Sequence, residues 1–209
     1  MKEDLKKGTS FSHLEKAPFN LTPGRTILLV LMGGSFLMFV FLLANMIVFF
    51  ARRGEQVRLS LPEPFVIGTW LLMIVSFVMR KTRDHFQKES YLQTKRFLGL
   101  AIVLMGVFLL LQITAWWQIY GEIRQRDLGG AMVSFVFFVS GLHFLHVVVA
   151  MSLVAHQWYH FQRLTSHPAR SLILFTDKRL FQRFRNAEIF CHFTDGIWIL
   201  IFISLLFLS

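Results

Sequence analysis

A few polar residues in the apolar segments of this 209-residue sequence could carry chemistry, and three of them are histidines. His143 and His146 are three residues apart in a stretch without Asp, Glu, Lys or Arg, and His192 and Asp195 repeat that spacing near the carboxy terminus. Residues three apart on a helix are neighbours, so each pair is expected to project from one face. A polar group within hydrocarbon is costly, which makes each one a functional candidate. The other members of this set are Asn45, Gln112 and Thr114.

A transition-metal site would need three or four convergent ligands. His143, His146 and His192 could supply three, but His192 is expected near a membrane boundary and the other two near the middle. A proton relay would need titratable groups across the whole membrane, and the outer halves of the apolar runs offer only Glu63. Neither chemistry is favoured for this chain alone.

Haem ligation is a third possibility. His143 and His156 are 13 residues apart, and His146 and His160 are 14 apart, which separates the imidazoles by about 20 Å along one helix, as stacked haems require. Each haem would need a ligand from another helix, and only His192 lies in another apolar run. A packing role, with both midplane histidines hydrogen-bonded to neighbouring helices or a companion subunit, is favoured over a small b-type cytochrome.

The elements that must position these residues are membrane-spanning helices. Apolar residues make up 55% of the chain and charged residues only 16%, with five long stretches almost free of charge. This composition excludes disorder and a nucleic-acid-binding domain, and the net charge of +10 is attributed to topology determinants beside anionic lipid. We predict an all-α, polytopic transmembrane bundle, with a tail over 1–25 that is not a removable signal peptide and one membrane domain over 26–209. The five predicted spans are about 26–50, 62–79, 97–120, 128–155 and 189–208.

The distribution of Lys and Arg predicts the orientation of the bundle. The tail and the loops after the second and fourth spans hold 17 of these residues and the other side holds 5, which together make the total of 22. The positive-inside rule then puts the amino terminus inside and the carboxy terminus outside. The single cysteine, Cys191, excludes an intrachain disulfide.

Two segments resemble one family, subunit III of the haem-copper oxidases. The run FFVSGLHFLHV, from Phe137 to Val147, is similar to the family's mid-membrane histidine motif, and CHFTDGIW, from Cys191 to Trp198, is similar to the motif of its last span. The pair Leu111-Gln112 also matches the end of the third span. Five spans correspond to the short bacterial form, and the resemblance covers nearly the whole chain.

The resemblance implies a non-catalytic subunit of a terminal oxidase, with a cytochrome c oxidase favoured, in the bacterial inner (plasma) membrane. Such a chain carries no haem or copper, which belong to partner subunits. It packs against catalytic subunit I in a complex with subunit II, binds phospholipid and supports proton uptake while the complex reduces O2 to water. A larger respiratory supercomplex is a further candidate partner. The residues expected to contact lipid or other subunits are His143, His146, Gln112, His192, Phe193, Asp195 and Trp198.

The sequence departs from the family pattern at several positions. The family's buried glutamate in this first helix is matched by Phe36, and the glutamate after the Leu-Gln pair by Ala115. Phe144 replaces a glycine and Ser140 a threonine in the histidine motif. The roles of the missing carboxylates in proton uptake are therefore not carried over. Alternatives are a subunit of a quinol oxidase, a homologue associated with a nitric oxide reductase, or the b-type cytochrome.

Overall fold

The computed structural model describes residues 23–53, 61–126, 130–165 and 178–208, and these parts of the chain are helical with no strand. The helices are α1 (Pro23–Arg53), α2 (Glu63–Gln87), α3 (Tyr91–Arg126), α4 (Gly130–Thr165) and α5 (Lys178–Leu208). Each contains a segment long and apolar enough to cross a membrane. The prediction of an all-helical chain with five membrane-spanning candidates is confirmed, whereas the orientation of the termini stays a prediction.

The helices extend beyond most of the predicted spans. The second span was expected to end at 79, but α2 continues to Gln87, and the fifth was expected to begin at 189, but α5 begins at Lys178. Both extensions carry Lys or Arg, and a search for uncharged runs stops at such residues. Only the last residues of the predicted tail can be compared, because 1–22 lie outside the described residues; α1 begins at Pro23.

Local sequence explains how α2 begins and ends. Pro64 occupies the first turn, where a backbone N–H has no partner within the helix, and Glu63 complements the positive end of the helix dipole. At the other end, Glu89 adopts a positive φ of 55°, and the Ser90 N–H donates to the carbonyl of His85 at 3.0 Å. This tight turn reverses the chain direction and leads directly into α3.

The four helices α2 to α5 form a closed ring of contacts: α2 packs on α3, α3 on α4, α4 on α5 and α5 on α2. Helix α1 lies outside this ring against α4 and α5. In the most apolar stretch of α1 only 17% of the residues are buried, compared with 33% to 44% in the other helices. The ring therefore holds most of the buried side chains, and α1 exposes most of its surface.

Candidate functional site

The two segments that carry the sequence motifs meet inside the helix ring. His143 of α4 is completely buried, and its ring lies against the indole of Trp198 on α5, with centroids 4.9 Å apart. Phe108 of α3 approaches both edge-on, at 5.9 Å from His143 and 5.2 Å from Trp198. Three helices thus meet at one aromatic contact, which we call the His143–Trp198 junction.

Helix α2 fixes the orientation of the indole in this junction. The Trp198 Nε1–H donates to Thr69 Oγ1 at 2.9 Å, and the Thr69 hydroxyl in turn donates to the carbonyl of Phe65 at 2.8 Å. The Phe65 ring packs edge-on against Trp198 at 5.4 Å. A buried indole is stable when its N–H has a partner, so Thr69 holds Trp198 in the position where it contacts His143.

Within the described residues, the imidazole of His143 lacks the predicted hydrogen bond to a neighbouring helix, while the alternative of a bond to a companion subunit stays a prediction. Neither of its ring nitrogens has a hydrogen-bond partner within the described parts of the chain, and the same is true of Gln112 Oε1. The hydrogen bond expected of His143 is therefore not observed here. Its visible contacts are aromatic, with Trp198 and Phe108.

His146 meets a different neighbouring helix from His143, although the two positions differ by only about 60° around α4. Its Nδ1–H donates to the carbonyl of Leu142 at 2.8 Å, because a carbonyl oxygen can only accept. Its Nε2 can then accept from the Ser35 hydroxyl on α1, at 3.2 Å. Phe36, which follows Ser35 on α1, is 43% exposed, and Ser35 is the polar group that His146 meets on this helix.

Gln112 ties α3 to α4. Its Nε2 donates to the backbone carbonyl of Ser140 at 2.8 Å, and the Trp116 Nε1–H donates to the Ser140 hydroxyl at 2.9 Å. The Ser140 hydroxyl donates to the carbonyl of Val136 at 2.6 Å. Ser140 thus receives two hydrogen bonds from α3.

A polar cluster joins α2 to α5 one turn from the aromatic junction. The Ser76 hydroxyl donates to Asp195 Oδ2 at 2.7 Å, so its oxygen accepts from the Nδ1–H of His192, also at 2.7 Å. His192 Nε2 lies 3.6 Å from Glu188 Oε1, and Arg83 Nη1 lies 3.2 Å from the same oxygen. We call these five residues the α2–α5 polar cluster. His192 and Asp195 share one partner, which agrees with the face predicted from their spacing.

The α2 residues that bond to α5 recur every seven positions, at Thr69, Ser76 and Arg83. Seven residues are close to two helical turns, so the three side chains lie in one stripe. Sequence reasoning missed Thr69 and Ser76 because Ser and Thr in apolar helices commonly bond to their own backbone. The seven-residue spacing within the second apolar run was the signal that could have found them.

Phe193 lies apart from the bonds that involve its neighbours in the motif. It is half-buried, and its ring contacts Phe190 of the same helix at 6.3 Å. The structure therefore brings His143 together with Trp198, and His192 with Asp195, while His146 and Gln112 each join a different pair of helices.

Within the described ranges, no three His, Cys, Asp or Glu side chains converge in a geometry that could hold a metal ion. Comparison with known proteins yields no matching family model and no curated protein with a significant match. The arrangement is that of a helical membrane protein whose intramembrane polar groups mostly join one helix to another.

Proposed function

We propose that this chain is a non-catalytic subunit, similar to subunit III, of a respiratory haem-copper terminal oxidase. The observation that carries the proposal is the His143–Trp198 junction. The two segments that resemble the family's motifs are separated by 43 residues, and they pack against each other with ring centroids 4.9 Å apart. The contact brings the two resembling segments into one buried site, which supports the proposal.

A structural role agrees with the positions of the polar side chains, several of which form hydrogen bonds between helices. Thr69, Ser140 and Ser35 each link two helices, so these hydrogen bonds hold the arrangement of the bundle. Outward-facing side chains such as Leu37 and Phe41 on α1 leave apolar surface for lipid and for a larger membrane partner. The chain would stabilise the catalytic subunit by presenting this shape.

In this proposal the haem and copper belong to partner subunits, which reduce O2 to water with electrons from cytochrome c. Proton uptake would be supported by the end of the bundle that contains the α2–α5 polar cluster, which the positive-inside rule predicts to be the inner end. The corresponding location is the bacterial inner membrane, with phospholipid bound to the outer faces of the helices.

The proposal is tested by isolating the full-length tagged chain from native membranes in mild detergent. We expect a haem-copper catalytic subunit among its companions, with O2 consumption in the same fraction. Isolation of the chain without any haem protein, under conditions that keep other respiratory complexes intact, would contradict the proposal.

A matched pair of variants tests the role of the junction in assembly. His143→Leu removes the imidazole from Trp198 and is expected to lower the amount of catalytic subunit retained during purification. His156→Leu removes an exposed histidine from the same helix and should leave retention unchanged. Equal retention and an unchanged turnover lifetime in both variants would refute the assembly role of His143.

A further inference from the structure

A groove of about 210 Å³ runs along the outside of the α2–α5 contact. Its sides are the exposed side chains of Met73 and Phe77 on α2 and Ile199 on α5. Asp195 and Trp198, both more than nine-tenths buried, form part of its floor. The groove therefore combines a wall of apolar side chains, open to the surroundings of the bundle, with a carboxyl group at its base.

The carboxyl group of Asp195 has capacity for another hydrogen bond. The Ser76 hydroxyl donates to Oδ2, and no further donor contacts this side chain within the residues that the structure describes. A carboxylate can accept several bonds through its two oxygens. Since Asp195 lines the groove, a molecule within the groove can supply a donor to its carboxyl group.

The depth of Asp195 indicates the chemistry of that molecule. Asp195 lies seven residues beyond Glu188 along α5, which is roughly 10 Å farther into the apolar part of the helix. Lipid phosphates lie outside the hydrocarbon, whereas Asp195 lies among the apolar residues of the span. The position fits a neutral head group that carries a hydroxyl and can enter the hydrocarbon.

The residues that line the groove also indicate which class of molecule it can bind. Phe77 supplies an exposed aromatic face that suits a planar ring, and Met73 and Ile199 can follow an apolar tail. Arg80 lines the groove one turn beyond Ser76, about 6 Å nearer the basic end of α2, where it can donate to a second ring oxygen. An aromatic ring with hydroxyl groups on opposite sides and an apolar tail is a lipid-soluble quinol.

We infer that the groove between α2 and α5 is a binding site for the head ring of a lipid-soluble quinol, with one hydroxyl donating to Asp195. The chain binds and positions the quinol there, and no electron transfer by this chain is involved. The inference requires a membrane-embedded chain and does not depend on the presence of an oxidase, so its failure would leave the proposed function standing.

The test uses the full-length chain in phospholipid nanodiscs, titrated by equilibrium dialysis with a radiolabelled benzoquinol that carries a ten-carbon tail. We expect saturable binding at one site. The dimethyl ether of the same quinol has no hydroxyl donor, so its affinity should be lower by a factor of about ten or more. Equal affinity for the quinol and its ether, or partitioning that does not saturate, would overturn the inference.

Two variants locate the site without relying on the polar cluster alone. Ile199→Trp fills the groove and should abolish saturable binding, whereas Ile203→Trp, one turn farther along the exposed side of α5, should leave it intact. Asp195→Asn replaces a charge-assisted acceptor by a neutral one, with an expected loss of about tenfold in affinity. Identical binding by the two tryptophan variants would show that the groove is not the site.

The last arm separates the quinol from another membrane molecule with the same hydroxyl chemistry. Monoacylglycerol is added as a competitor at matched concentration in the bilayer. Retention of the bound quinol supports the assignment, because an acylglycerol has no ring to pack against Phe77. Displacement of the quinol by a lower concentration of monoacylglycerol would contradict the assignment to a quinol.

Discussion

The hydrogen bond between Thr69 and Trp198 gives the sharpest test of how the bundle is held together. Thr69→Val keeps the shape of the side chain and removes the oxygen that accepts the indole N–H at 2.9 Å. Trp198 is 1% exposed, so its N–H loses its partner in a place that solvent does not reach. Interhelical hydrogen bonds in membrane proteins contribute about 0.6 kcal/mol on average and up to about 1.7 kcal/mol. Because this donor is fully buried, we expect a loss of about 1 to 2 kcal/mol in the free energy of unfolding.

The measurement is reversible unfolding of the purified chain in mixed micelles, followed by tryptophan fluorescence and far-ultraviolet circular dichroism. Thr114→Val is the matched control, because Thr114 is exposed and its hydroxyl bonds to Leu111 of its own helix at 2.7 Å. The control should change the free energy of unfolding by less than about 0.5 kcal/mol. A loss in Thr69→Val no larger than that in Thr114→Val would refute the reasoning.

A double-mutant cycle with Trp198→Phe isolates the bond from the other effects of each substitution. The Phe variant has no N–H, so adding Thr69→Val to it should cost less than it does in the native chain. The expected coupling energy is about 0.5 to 1.5 kcal/mol. A coupling energy of zero would mean that Thr69 acts through packing alone.

Two other substitutions test the remaining contacts in the same unfolding assay. Ser35→Ala removes the hydroxyl that bonds to His146 Nε2 on α4 and should lower the free energy of unfolding by about 0.5 to 1.5 kcal/mol. Ser152→Ala is the control, because the exposed Ser152 hydroxyl bonds within its own helix, and it should have a smaller effect. Equal losses in the two variants would contradict the α1–α4 bond. Gly68→Ala would place a Cβ 3.1 Å from the ring of Phe108 and should cost about 1 to 3 kcal/mol, while Gly106→Ala meets no atom within 4 Å and should be neutral or stabilising. An unchanged Gly68→Ala protein would show that Phe108 can move without cost.

The sequence was sufficient to predict five helices because hydrocarbon requires every backbone group to be satisfied within the span, and long uncharged runs indicate where this occurs. It could not set the helix ends, since α5 gains its first turns from segments rich in Lys and Arg, beginning at Lys178. Helix formation there depends on packing within the protein and not on the hydrocarbon. The apolar runs therefore predicted the membrane part of each helix and not its full length.

The candidate site was only partly predictable for a related reason. The spacing of His192 and Asp195 correctly predicted a shared face, since both side chains reach the hydroxyl of Ser76. His143 and His146 have the same spacing but meet different helices, because positions three apart differ by about 60° around a helix and α4 has different neighbours on either side. The neighbour that each residue meets depends on how the helices are arranged in the bundle, and the spacing within one helix cannot predict that arrangement.

The central claim is that this chain provides structure while a neighbouring subunit performs the electron and oxygen chemistry. It is tested most directly by recording the visible spectrum and the iron and copper content of the full-length chain, first in its native complex and then after separation from its companions. The account predicts a haem spectrum and bound copper in the complex, and neither iron nor copper on the separated, folded chain. A Soret band or stoichiometric metal that stays with the separated chain would contradict it.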